Sequence, residues 1–126
     1  MLSYSRFYFY KAIVDNHDKI VGDAVLAFTL GETNKALSTL EQFVSEHPNY
    51  IDAWRSLAEI YLTTGRLEDA EVACNRALEI DSEDLTSTVS LARILVRKGD
   101  ISGAEVASSK ARVLGWKEEL AEETEE

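Results

Sequence analysis

The sequence predicts an all-α fold of antiparallel helix pairs, and three observations support this. Three glycines at breaks in the helical pattern, Gly31, Gly65 and Gly99, are 34 residues apart. Three further columns keep the same step: Ala24, Ala58 and Ala92; Ala36, Ala70 and Ala104; and Leu26, Ile60 and Ile94. The chain has a single proline, so long helices are possible. A constant step of this length indicates an array in which one helical unit recurs.

The middle unit, residues 51–84, predicts two helices joined by a short turn. Its first half has a helical apolar face at i, i+3, i+4 and i+7: Trp54, Leu57, Ala58 and Tyr61. Gly65 follows, and glycine there can adopt the left-handed conformation that ends a helix. The second half has another such face: Leu67, Ala70, Cys74, Ala77 and Leu78. Because alanines recur on both helices, the two backbones are expected to pack closely.

Residues 17–50 and 85–118 follow the same plan. The first of these units carries Ala24, Ala27, Gly31, Ala36, Leu40, Phe43 and a closing Pro48. The last carries Leu91, Ala92, Leu95, Gly99, Ala104, Ala107 and Ala111. Since one helix pair cannot bury both of its faces, the three units are expected to stack on one another.

These units resemble the tetratricopeptide repeat, a 34-residue helix-turn-helix with the pattern W-x2-L-G-x2-Y, A-x3-F and P. The middle unit matches this pattern at Trp54, Leu57, Ala58, Tyr61 and Ala70. It departs from it at Cys74 and Ser82, which replace the aromatic residue and the proline. In the first unit, Ile20 and Asp23 stand where Trp and Leu are usual. In the third unit, Thr88 stands where Trp is usual. The resemblance covers residues 17 to about 115.

The resemblance implies a right-handed superhelix whose concave groove is lined by the first helix of each unit. Partner peptides often lie in that groove. The residues expected to bind a partner there are Val21, Val25, Phe28, Arg55, Glu59, Leu62, Val89, Arg93, Val96 and Arg97. Asp18, Asp52 and Thr86 lie on the same face, and Arg55, Arg93 and Arg97 are expected to form a basic spot.

One subclass of this family binds the C-terminal carboxylate of chaperones with Lys, Asn and Arg side chains. The corresponding positions here are Val21, Val25, Ser56, Thr86 and Ser90. None of them carries a cation or an asparagine, so a site of that type is not expected.

Residues 1–16 form an aromatic segment that contains Tyr4, Phe7, Tyr8, Phe9 and Tyr10. Three interpretations remain open for it. The segment can cap the first repeat, it can dock on another copy of the chain through Tyr4, Phe7, Tyr8 and Tyr10, or its residues 7–10 can form a short strand. Asp15 and Asp18 are expected to cap the start of the first helix.

The C-terminal end is strongly acidic. Residues 118–126 read EELAEETEE, and we interpret residues 119–126 as an acidic tail, either a frayed helix or a solvated coil. Trp116 is expected to fold back on the last helix. The chain as a whole has a net charge of -10, which argues against nucleic acid as a partner.

The sequence offers no chemistry that would indicate an enzyme. His17 and His47 lack further ligands at metal-binding spacing, so no metal site is expected and the two residues are assigned surface or cap roles. The lone Cys74 falls on the inward face of its helix, where a buried thiol is expected. No phosphate loop, cofactor motif, signal peptide or membrane-spanning stretch is found, and a cytoplasmic location is expected.

Two hypotheses of function follow. The first is a protein-protein interaction adaptor or scaffold that binds a segment of a partner protein in the concave groove. The alternative is a self-assembling structural protein that forms homo-oligomers through its aromatic N-terminal segment.

Overall fold

The computed structural model describes the backbone of residues 2–125 and the side chains of residues 6–124. Over this range the regular structure is entirely helical, which confirms the predicted all-α class. The helices are α1 (Leu2–Thr29), α2 (Thr33–Glu46), α3 (Ile51–Thr63), α4 (Leu67–Ile80), α5 (Leu85–Lys98) and α6 (Ile101–Glu125). They form three successive antiparallel hairpins.

The turn inside each hairpin depends on a glycine, as the repeat pattern predicts. Gly31, Gly65 and Gly99 have φ values of 89°, 80° and 84°, a backbone conformation that residues with a Cβ rarely adopt. The residue after each glycine donates its backbone N–H back across the turn, as in the 2.8 Å bond from Arg66 N to the Tyr61 carbonyl. The same turn therefore recurs at every 34-residue step.

The predicted alanine packing is present in the middle hairpin. Ala58, Ala70 and Ala77 are each at most 1% exposed, so the contact between α3 and α4 is made through small side chains. Larger core residues surround this contact and join the hairpins into one core; the most deeply buried of them are Leu40, Leu57, Leu62 and Ile94.

The hairpins stack with an inner and an outer layer of helices. The backbone of α3 lies close to those of both α1 and α5, whereas among the described residues the backbone of α4 comes close to neither α2 nor α6. The first helices of the hairpins are therefore closer together than the second helices. This difference curves the stack, with α1, α3 and α5 on its concave side, and the whole forms the right-handed superhelix that the sequence predicts.

Helix α1 extends far beyond its own hairpin and passes through residue 16 without a break. It has 28 residues, twice the length of α2. Interpreting residues 1–16 as a cap is wrong for the described side chains, because Phe9 and Tyr10 are 70% and 72% exposed. The strand alternative is also wrong, since residues 7–10 are helical. Asp15 and Asp18 lie inside α1 and do not cap it.

The side chain of Tyr4 lies outside the described residues. The prediction that it takes part in self-association therefore stays a prediction for that residue.

Helix α6 also extends beyond its partner, because it has 25 residues against 14 in α5. The acidic stretch from residue 119 to residue 125 continues this helix. Trp116 is more than half exposed, so the prediction that it folds back on the last helix is wrong.

Candidate functional site

The concave face consists of columns of side chains that repeat at the 34-residue step. Each column takes one residue from each of α1, α3 and α5. The three columns are Val21, Arg55 and Val89; Val25, Glu59 and Arg93; and Phe28, Leu62 and Val96. These columns, with Arg97 at one end, follow the first helices of the three hairpins, but not all of their side chains reach the surface.

An ion pair crosses this face between α3 and α5. Arg93 Nη1 donates to Glu59 Oε1 over 2.6 Å, and both side chains are about half exposed. Ser90 Oγ lies 3.4 Å from the same Glu59 oxygen. The Glu59 carboxylate thus joins two neighbouring first helices.

A second and more buried pair joins the start of α5 to α3. Arg55 Nε donates to Asp84 Oδ2 over 3.0 Å, and Arg55 Nη2 donates to the other Asp84 oxygen. Asp84 also caps α5 by accepting the backbone N–H of Ser87 over 3.0 Å. Arg55 Nη1 donates to the exposed Asp52 over 2.5 Å.

The electrostatics of this pair favour the charged forms of both groups. Burial raises the pKa of the Asp84 carboxyl, but the hydrogen bonds from Arg55 and Ser87 outweigh burial and leave that pKa below its ordinary value. The hydrogen bond with Asp84 raises the pKa of Arg55. Arg55 is therefore a structural cation whose charge is already balanced within the protein.

Arg97 is also occupied within the protein. Its Nη1 donates over 2.6 Å to the carbonyl of Leu62, near the C-terminal end of α3, where unpaired carbonyls accumulate negative partial charge. Arg55, Arg93 and Arg97 are thus all bonded to groups of α3 or its neighbours. The three arginines lie near one another as expected, but most of their positive charge is compensated by neighbouring groups of the protein.

Two of the predicted groove residues do not lie on the surface. Val21 and Leu62 are 6% and 2% exposed, because their side chains point into the core between the hairpins. Phe28 is half-buried and packs against the same core. The apolar surface that remains on the concave face comes from Val25 and Val89, and from Val96 at its end, where Val96 also borders a hollow with residues of α6.

A hollow of about 370 Å³ lies between α1 and α3 at the edge of this face. Its floor is formed by Val21 and Gly22, and a Cβ placed on Gly22 would meet no atom within 4 Å. Asp18 and Asp52 contribute their carboxylates to the lining. These oxygens can accept hydrogen bonds from a cationic or amide group in a ligand.

The two histidines form a contact that their sequence separation conceals. The rings of His17 and His47 are 4.2 Å apart between centroids, and Phe43 and Tyr50 pack against His17 edge-on. His17 is half-buried and packs at the joint between α1 and α2, and His47 is the C-cap residue of α2. The 34-residue step could have predicted that His17 packs inside the hairpin, because it aligns His17 with Ile51, the first residue of α3.

Cys74 is buried, as its position on the inward helix face predicts. Burial raises the pKa of its thiol to about 12, so the thiolate needed for nucleophilic chemistry is not formed near neutral pH. Among the side chains that the structure describes, no three or more His, Cys, Asp or Glu groups cluster in a way that could hold a metal ion. No helix in the described range is long and apolar enough to cross a membrane.

The geometry defines a class of protein, an α-solenoid of helical hairpins with a concave face built from the first helices. The family model described as Tetratricopeptide repeat matches residues 27–87, from the end of α1 to the start of α5. This match lies across the middle unit and supports the resemblance to the tetratricopeptide repeat that the motif residues predict. No sequence among the curated proteins matches the chain.

The solved structures that share this fold include those of MamA, SycD and the first TPR of RPAP3. MamA has a TM-score of 0.76 at 20% identity over 81% of this chain, which spans 60% of the MamA chain. The Yersinia enterocolitica type III secretion translocator chaperone SycD has a TM-score of 0.74 at 16% identity, covering 79% of this chain and 76% of its own. The first TPR of Spaghetti (RPAP3), bound to the HSP90 peptide SRMEEVD, has a TM-score of 0.74 at 13% identity, covering 78% of each chain. At these identities the likeness establishes the fold.

Proposed function

We propose that this protein is an interaction module that binds an extended segment of a partner protein along its concave face. The observation that carries the proposal is the row of exposed side chains that α1, α3 and α5 present on one curved surface at a constant step. A similar fold in RPAP3 is seen with a bound peptide, which supports a peptide as the kind of ligand.

The chemistry of the face favours a particular kind of segment. Asp18 offers a carboxylate on α1 that takes part in no ion pair among the described residues, whereas Val89 and Val96 offer apolar surface on α5. Because Arg55 and Arg93 are already paired with carboxylates, an acidic ligand gains little from them. A segment with a Lys or Arg at one end and apolar side chains at the other fits this face best.

A chaperone-tail ligand fits poorly. Of the five positions that would hold its carboxylate, Val21 and Ser90 are buried, and the others are Val25, Ser56 and Thr86. A carboxylate placed there would lose its hydration without gaining a cation. The peptide SRMEEVD is therefore a useful negative control.

The proposal is tested with peptides selected on the purified protein from a random 12-residue display library. The best peptide is labelled, and its dissociation constant is measured by fluorescence anisotropy. Val96→Glu is expected to weaken binding at least tenfold, because it places a charge on the apolar end of the face. Val72→Glu is the matched control, since Val72 and Val96 are 57% and 56% exposed but Val72 lies on the second helix of its hairpin.

Equal losses in both variants, or none in Val96→Glu, would exclude the concave face as the site. Circular dichroism of each variant shows whether the fold is retained. Tight binding of SRMEEVD would contradict the ligand chemistry proposed here, while leaving the concave face itself in place.

A further inference from the structure

The hollow between α1 and α3 is open because α1 carries a glycine there. Gly22 is exposed, and a Cβ placed on it would meet no atom within 4 Å. One and two steps later in the repeat, the same column holds Ser56 and Ser90, which are half-buried and buried. At this place α1 therefore contributes backbone but no side chain. We call the space the Gly22 hollow, and its lining residues are Asp18, Val21, Gly22, Asp52, Arg55 and Ser56.

The next junction along the stack shows how this chain fills the equivalent space. There, between α3 and α5, the guanidinium group of Arg55 reaches from α3 to the start of α5. Its Nη1 donates to Asp52 Oδ1 over 2.5 Å, and its Nε donates to Asp84 Oδ2 over 3.0 Å. One arginine side chain is thus held between two carboxylates, one on α3 and one at the start of α5.

The junction between α1 and α3 has a carboxylate at the equivalent position but lacks the arginine. Asp18 lies one repeat step before Asp52, and Val21 lies one step before Arg55. Because Val21 is apolar and buried, it gives Asp18 no cation. Asp18 takes part in no ion pair among the described residues.

The charge around the Gly22 hollow favours a cation. Its lining contains two carboxylates, those of Asp18 and Asp52, and one cation, Arg55. Arg55 is bonded both to Asp52 and to the buried Asp84, so its single positive charge is shared between two carboxylates. The hollow therefore has an excess of negative charge, and a cationic group that entered it would form charge-assisted hydrogen bonds.

We propose that the Gly22 hollow binds the guanidinium group of an arginine side chain of the partner segment. The inference rests on the function proposed above, and it adds the residue type that anchors the segment and the place where that residue binds. Asp18 accepts hydrogen bonds from the guanidinium, as Asp52 does from Arg55. The apolar stem of the ligand side chain packs over Val21 and the backbone of Gly22.

Arginine suits the hollow better than lysine. A guanidinium group is planar, donates in several directions at once and is more weakly hydrated than an ammonium group, so it loses less hydration free energy in a recess. It can donate to Asp18 and Asp52 together, in the way that Arg55 donates to two carboxylates. The hollow is therefore expected to distinguish the two cations.

The first experiment uses capped amino acids as probes, so it needs no partner segment. N-acetylarginine methylamide is titrated into the ¹⁵N-labelled full chain, and the amide signals of Gly22 and Ser56 report on the hollow. A saturable shift is expected at millimolar concentration, because a single side chain makes few contacts. The capped citrulline has nearly the same shape without the charge and is expected to bind about tenfold more weakly.

The capped lysine is expected to bind more weakly than the capped arginine. Three results would overturn the proposal: no saturable shift of Gly22 up to about 50 mM of the arginine probe, citrulline binding equal to arginine binding, or lysine binding equal to arginine binding.

Two substitutions on α1 separate the hollow from a general effect of charge. Asp18→Asn removes the proposed acceptor and is expected to weaken binding of the arginine probe about tenfold. Asp23→Asn is the matched control, because it removes the same charge from the same helix, but Asp23 lies outside the hollow and is paired with Lys19. It is expected to leave the affinity unchanged. Equal weakening by both substitutions would show non-specific attraction and would overturn the proposal.

Filling the hollow tests the site without weakening the helix. Gly22→Leu places a side chain in the open space, and it replaces a glycine inside a helix with a better helix former. The thermal unfolding midpoint is expected to stay or rise, while binding of the arginine probe is lost. A Gly22→Leu variant that binds the probe as well as the unmodified chain would contradict the proposed site. If this variant were less stable, Asp18→Asn at an exposed position would carry the same test.

Display-selected peptides distinguish failure of this proposal from failure of the function on which it rests. The best peptide is expected to contain an arginine, and replacing that arginine with citrulline is expected to weaken binding about tenfold. Peptides that lose affinity with Val96→Glu but lack arginine, or that tolerate citrulline, would exclude the hollow and leave the concave face as the binding surface. If no peptide bound the concave face while the arginine probe still shifted Gly22, the proposed function would fail and the guanidinium site would stand.

Discussion

The pairing of Arg55 with Asp84 shows at the residue scale why the charges of the concave face cannot be counted from the sequence. Asp84 is the cap of α5 and lies 29 residues from Arg55, on another hairpin. Four bonds converge on its carboxylate, two from Arg55 nitrogens and two from Ser87, through its backbone N–H and its hydroxyl. The arginine is therefore fixed by the fold and is not reserved for a ligand.

Replacing Asp84 with Asn is expected to lower the free energy of unfolding by about 1.5–3 kcal/mol, the contribution typical of hydrogen bonds to charged groups. Asp52→Asn is the matched control, because Asp52 binds the same arginine but is exposed. It is expected to cost less than about 1 kcal/mol. Urea unfolding at pH 7 measures both; equal effects would contradict the assigned role of Asp84.

The pH dependence of stability provides a further readout for the same variant. The folded-state pKa of Asp84 lies below its ordinary value of 3.8. Its stabilising contribution is therefore complete above that value and is lost as the pH falls through the folded-state pKa. Asp84→Asn is expected to lose less stability than the unmodified protein on acidification below about pH 4.

At the scale of the element, the hairpin is specified by small residues where two helices touch and by glycine where the chain turns. Both signals are local in sequence and repeat at one step, which is why the sequence predicts α2 to α5 well. The ends of α1 and α6 carry no such stop signal. Gly22 and Gly115 lie within these helices without a break, so helix length there could not be predicted from the glycines.

Enlarging the contact between α3 and α4 tests this packing. Ala70→Leu is expected to lower the free energy of unfolding by about 1–3 kcal/mol, because Ala70 is fully buried and the added atoms force the helices apart. Val72→Leu adds a methylene group on the exposed side of the same helix and is expected to change stability by less than about 0.5 kcal/mol. Thermal denaturation compares the two; an unmoved midpoint in Ala70→Leu would contradict the packing.

At the scale of the whole molecule, the repeat predicts the fold and the curved face, but not the surface of that face. Val21 and Leu62 were expected to line the groove because each lies at a repeat position of a first helix. Their burial depends on how neighbouring hairpins tilt, which is a long-range property. The contact between His17 and His47 is long-range in the same way.

The concave face is the central claim, and chemical-shift mapping tests it most directly. Amide spectra of the ¹⁵N-labelled protein are recorded while a display-selected peptide is added. We predict that the largest shifts fall on α1, α3 and α5, around Asp52, Val89 and Val96, with little change on α2, α4 and α6. Shifts concentrated on the second helices, or on residues 6–15 of α1 alone, would contradict the claim.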